Sequence, residues 1–214
     1  MTYQEKLMRD NSLSRKKHFI KMVLFAFFMA VLADSSLLIA SDRSDATALR
    51  ERCEAESKVL EIAVKNFGAE KDIKDFQDGI NLIKTGKVKI AQSKYLEAIA
   101  KYNEYLKLHH QIYKRVAEIY IARTEQLYND IAAELVDFID NEKVGQYLKL
   151  ANQNLADAKS RDLTENFKLA IDLCRSAKKY SLDCYKAANK QIPEKYKKDL
   201  KDINKEIHKG SESK

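Results

Sequence analysis

The side chains with catalytic or metal-binding potential are few and poorly placed for either task. His109 and His110 are the only adjacent histidines. Neighbouring residues on a helix point about 100° apart, so the two do not converge on one ion, and His109 reads as a satisfied core histidine. Glu134 and Asp137 stand one helical turn apart, a spacing open to acid/base work, but with no pocket implied they read as solvated carboxylates. Cys53, Cys174 and Cys184 leave one thiol over however they pair. Cys174 and Cys184 fall on one predicted helix, roughly 15 Å apart and too far to bridge. Cys53 could therefore pair with Cys174 or with Cys184, or all three could be reduced and buried as small apolar side chains. The sequence has no Gly-rich phosphate loop and no HExxH, CxxC or GxSxG motif. We read catalytic residues, metal ligands and cofactors each as none, and the chain as not an enzyme.

The elements that would position any site are helical. One Pro and five Gly in 214 residues leave too little punctuation for a β-rich or loop-rich fold. Ser44 or Asp45 is placed to cap a first helix, whose apolar positions Leu49, Cys53, Leu60, Val64 and Phe67 stop at Gly68. A second helix carries Ile73, Phe76, Ile80 and Ile83, and Thr85-Gly86 is its expected end. From Lys87 to Val144 there is no Gly or Pro. Across that stretch Ala91, Tyr95, Ala98, Tyr102, Tyr105, His109, Tyr113, Tyr120, Leu127, Ile131 and Phe138 keep one helical phase. This predicts a single helix over about residues 88–140, near 75 Å long, straight rather than supercoiled. Leu108, Ile112 and Ile119 widen its apolar face. Either several helices converge there, or Tyr105, Leu108, Ile112, Tyr113, Ile119 and Tyr120 form an assembly surface for another chain. Gly145 precedes a helix through Leu148 and Leu155, Ser160-Arg161-Asp162 turns the chain, and Thr164 caps a helix reaching Ile192. Pro193 opens a last one. The expected fold is all-α and elongated, with one very long helix braced by shorter antiparallel ones.

Eleven Tyr without a Trp is unusual. Tyr gives apolar area with a polar tip, so a Tyr-lined helix suits helix packing or a partly wet assembly contact.

The N-terminal segment reads as an export signal: Arg15, Lys16, Lys17 and Lys21 precede an apolar run at 22–33, with cleavage after Ala33 or Ala40. The other reading is an uncleaved anchor over 22–40, which would carry Asp34 at a cost of roughly 3 kcal/mol. A helical domain at 41–209 and a disordered tail at 210–214 complete the organisation. The net charge is +7, but the residues after Ala33 hold 33 basic and 30 acidic side chains. That balance argues against nucleic acid as a partner, and the alternating charges from Lys195 to Glu206 read as a solvated helix face. The expected partners are proteins, with self-association open.

Two segments place small residues around a larger one: Gly79 with Ala91, Tyr95 and Ala98, and Ala170 with Cys174 and Ala177. Such spacing lets helices approach closely, and it resembles tetratricopeptide hairpins. Asp75 and Asp78 stand where that pattern has Trp and Leu, and the two units begin 79 residues apart, so no tandem array is implied.

Three longer segments, GKVKIAQSKYLEAIAKYNEYLKLHHQIYK, AELVDFIDNEKVGQYLKLANQNLADAK and LCRSAKKYSLDCYKAANKQIPEKYKKDL, resemble the coiling (sheath) proteins of spirochaete periplasmic flagella. The resemblance covers about residues 70–200 and is one of general texture. It implies elongated helical subunits that coat a periplasmic filament, impose curvature and support motility. The other function class open to the sequence is a tetratricopeptide-like periplasmic adaptor or chaperone that binds protein segments.

Overall fold

The computed structural model describes residues 41–207. Among them are six α-helices and no strand: α1 (41–67), α2 (Glu70–Ala91), α3 (Tyr95–Glu134), α4 (Glu142–Leu163), α5 (Phe167–Ala187) and α6 (Lys197–Ile203). Short 3-10 turns at Val136–Phe138 and Glu194–Tyr196 lead out of α3 and into α6. The all-α class holds. The export segment with its cleavage positions Ala33 and Ala40, and the tail at 210–214, lie outside the described residues. No described helix is long and apolar enough to cross a membrane.

The spine is α3, whose 40 residues span about 60 Å. It is shorter at both ends than the helix expected over 88–140. At the N-terminal side, α2 runs through Thr85-Gly86 to Ala91, and the chain reverses at Gln92–Lys94 with Ser93 left-handed at φ 58°. Apolar phase misses this reversal because α2 and α3 face the same core, so a short turn restores the stripe. Gly86 is a packing residue here, not a helix end: a Cβ on it would sit 2.5 Å from Tyr102 Cε1. At the other side, Leu135 ends α3 and Asn141 opens α4, its side chain accepting from the amides of Lys143 and Val144. Gly145 therefore lies inside α4.

Smaller corrections follow the same logic. Residues 41–44 are already helical, so neither Ser44 nor Asp45 caps α1. Thr164 ends α4 and Asn166 precedes α5, with Glu165 left-handed between them. α5 ends at Ala187, short of Ile192, through left-handed Asn189.

The other helices sort along α3. α1 runs parallel to its first half, from Cys53 beside Tyr102 to Phe67 against Tyr120. α2 folds back antiparallel, pairing Asp72 with Arg115 and Gly86 with Tyr102. α4 returns along the second half, where Lys159 meets Glu125. α5 turns again, and α6 runs back from Tyr196 beside Glu134 to Asp202 beside Tyr120. Helices from both halves meet in one cluster around Ile112, Tyr113, Val116, Ala117 and Tyr120. Tyr105, Ile112, Tyr113 and Tyr120 are buried in the chain's own core, and Leu108 and Ile119 are half-buried. The apolar widening is where helices converge. It is not an open assembly surface.

Candidate functional site

In the first half of α3, close approach of backbones does the positioning. Gly86 sits under Tyr102, and at Gly79 a Cβ would lie 3.2 Å from Tyr105 ring carbons. Tyr102, Tyr105 and Tyr113 are buried, yet their hydroxyls make no hydrogen bond among the described residues. Burial raises the pKa of each phenol, so they are neutral space-fillers. Arg115 ties α2 to α3 through Asp72 at 2.6 Å and Asp75 at 2.5 Å. His109 is buried, with Nε2 3.5 Å from the Glu56 carbonyl and its ring edge-on to Tyr113. Burial lowers its pKa against the opposing pull of that carbonyl. His110 is exposed and faces Glu165. The two histidines diverge, as expected.

Of the residues read as packing motifs, Gly79, Ala98, Ala170, Cys174 and Ala177 are buried. Tyr95 is half-buried and Ala91 is exposed, because the turn at 92–94 separates them onto different helices. The first motif is thus not carried by one helix; the second is, on α5.

The second half of α3 holds a buried ionic cluster that the sequence reading took for a solvated face. Lys178 is wholly buried, with Nζ 3.2 Å from Asp199 Oδ1 and 3.2 Å from Asp202 Oδ2. The same ammonium lies 4.1 Å from the Phe67 ring centroid and 4.6 Å from that of Tyr120. Arg175 Nη2 donates to Asp202 Oδ1 at 3.2 Å, and Arg123 donates to Asp199 at 2.7 Å. Tyr120 donates to Asp202 at 2.5 Å, and Asn66 at the end of α1 adds a donor at 3.3 Å. Three cations thus surround two carboxylates that have no exposure at all. Burial alone would raise the Asp202 pKa, but Lys178, Arg175 and the Tyr120 hydroxyl together hold it below the usual carboxylate range. α1, α3, α5 and α6 all contribute, so the cluster is the clamp that holds the C-terminal helix on the spine. Its signal was the register: Arg175 and Lys178 on α5 match Asp199 and Asp202 on α6 at the same three-residue step.

Glu134 is also engaged. Tyr185, Lys195 and Tyr196 all donate to its carboxylate, which corrects the reading of Glu134 as merely solvated. Asp137, its expected companion, is exposed.

Cys53, Cys174 and Cys184 are free and buried, and burial pushes each thiol up to about 11, the wrong direction for a nucleophile. Among the described residues no group of three or more His, Cys, Asp or Glu side chains is placed to hold a metal. A cleft of about 220 Å³ lies where α1 and α3 meet the start of α5. On its walls Lys168 pairs with Glu56 at 3.2 Å, and His110 Nε2 lies 4.0 Å from a Glu165 carboxylate oxygen. Among the described residues the buried ionisable clusters, Asp72 with Arg115 and Lys178 with Asp199 and Asp202, hold one helix to another.

Comparison with protein-family models, with curated proteins and with solved structures gave no match to this chain.

Proposed function

We propose that this chain is a non-enzymatic structural protein of the periplasm, exported by its N-terminal segment, which assembles along a flagellar filament as a sheath or coiling component. The observation that carries the reading is the spine: a 40-residue helix with other helices bound along both of its halves. A stiff, side-braced rod resists bending, which is what a component that sets filament curvature must do. The mutual pairing of buried charges supports the same reading, because these groups rigidify packing and leave few polar side chains to converge on a substrate. The likeness of three segments to flagellar coiling proteins supplies the kind of filament.

The test is to isolate periplasmic filaments from cells with and without the gene. The proposal expects the protein in the filament fraction, and straighter filaments with impaired swimming on deletion. A chain that fractionates away from filaments and leaves their curvature unchanged on deletion contradicts it. Capture of many unrelated peptide segments instead would favour the tetratricopeptide-like adaptor.

A further inference from the structure

The two turns that flank α3 carry opposite charge. Over the end of α2, the turn and the start of α3, residues 84–97 hold Lys84, Lys87, Lys89 and Lys94 against Glu97, whereas residues 134–143 hold Glu134, Asp137, Asp140 and Glu142 against Lys143. Both turns also expose aliphatic side chains: Val88 is 54% and Leu96 67% accessible at the first, and Val136 and Ile139 are each 58% at the second. The turn between α4 and α5 is a useful contrast. Leu163 there is 85% exposed, but Arg161, Asp162 and Glu165 around it have mixed sign.

Internal pairing leaves part of each charge set open. At the basic turn Lys87 reaches Glu54 at 2.9 Å, and Lys89 and Lys94 share Glu97 at 2.6 and 3.7 Å. At the acidic turn Lys195, Tyr185 and Tyr196 take Glu134, Gln146 donates to Glu142, and Lys190 lies over the Phe138 ring. Lys84, Asp137 and Asp140 are exposed, and no ion pair within the described residues uses them. Exposed pairs such as Lys87 with Glu54 are worth only about 0–1 kcal/mol, so an incoming charge of the right sign can replace them.

We propose that these turns are the two halves of one contact: the acidic turn of one copy docks on the basic turn of the next, and copies join end to end along α3. The inference rests on the assembly reading above and names the surface that performs it. Opposite charge sets the polarity, and the four aliphatic side chains supply area that leaves water on contact. A contact between unlike surfaces leaves a free turn at each end, and joined end to end along α3, with no rotation that closes a ring, it propagates as an open strand. The repeat along such a strand is about 60 Å, the length of α3.

The test uses the full chain and two charge-reversed forms, one carrying Lys84→Glu with Lys87→Glu and the other Asp137→Lys with Asp140→Lys. Sedimentation in one low-salt buffer reads association, and circular dichroism checks that helix content is kept. Any association through the apolar run at 22–33 is common to all samples and cancels in the comparison. Each reversed form alone should associate at least about tenfold more weakly than wild type, and an equimolar mixture should recover to within about threefold, because only the mixture brings opposite charges together. Arg161→Glu, at the third turn, should change nothing. A monomeric wild-type chain, reversed forms that associate like wild type, or a mixture no better than its components would each overturn the contact. If the chain still joins isolated filaments when the mixture fails to recover, the end-to-end contact falls and the filament reading stands.

Discussion

The two halves of α3 use the same residue type in opposite ways. Around Tyr102 and Tyr105, the ring fills space left by Gly86 and Gly79, and the hydroxyl has no partner. Around Tyr120 and Tyr185, the hydroxyl donates to the carboxylates of Asp202 and Glu134. The difference lies in what the neighbouring helix supplies. α2 brings its backbone close through glycine and adds one ionic tie, Asp72 and Asp75 on Arg115 at the middle of α3, whereas α5 and the segment through α6 bring a wholly buried network of charges. One half is therefore held by shape and sensitive to added atoms; the other is held by a network and sensitive to lost partners. The halves meet at Tyr113 to Tyr120, where α1 reaches the clamp through Asn66 and Phe67.

The largest effect should come from breaking the network. Lys178→Met leaves Asp199 and Asp202 buried with less compensation and should lower the unfolding free energy by about 3–5 kcal/mol, read from the urea midpoint. Next comes crowding the glycine contacts. Gly86→Ala drives a methyl into the Tyr102 ring at 2.5 Å and should cost roughly 1–3 kcal/mol. Gly79→Ala meets its ring only at 3.2 Å, and the helix propensity gained, up to about 1 kcal/mol, should leave it near neutral. Equal losses at the two glycines would break the shape account.

The smallest effects are those of pH. Burial works against the Asp202 carboxylate, but Lys178 and Arg175 keep its folded pKa below the unfolded one. Its stabilisation is therefore whole above about pH 4 and is lost as pH falls through the lower folded value. Asp202→Asn should flatten that limb of the stability profile. In the other half, burial depresses His109, so its contribution is complete above about pH 6.5 and declines as pH falls. Protection factors of the amides across Tyr105 to Tyr113, with the intrinsic pH dependence of exchange divided out, should fall first on mild acidification, before those around Thr124.

The sequence made some of this legible for clear physical reasons. Gly68 stops α1 and Pro193 precedes the last helical segment because backbone chemistry acts locally. Ala170, Cys174 and Ala177 announced a packed face through size alone. Gly86 misled because a glycine that ends a helix and one that admits a ring look alike without the partner ring. The reversal at Ser93 was hidden because helical phase reports which face is apolar, not which direction the chain runs. The clamp was hidden because Asp199 and Asp202, interleaved with lysines, have the texture of a solvated helix; only Lys178 from a different helix makes them interior.

The most direct measurement is a paired substitution. Tyr105→Phe and Tyr120→Phe remove the same oxygen from two buried rings, and chemical unfolding of both in one buffer isolates what each hydroxyl contributes. Tyr120→Phe should lose about 1.5–3 kcal/mol, the worth of a hydrogen bond to a charged group, while Tyr105→Phe should be unchanged or more stable. Equal losses from the two would contradict the account of one helix stabilised by shape along one half and by charge along the other.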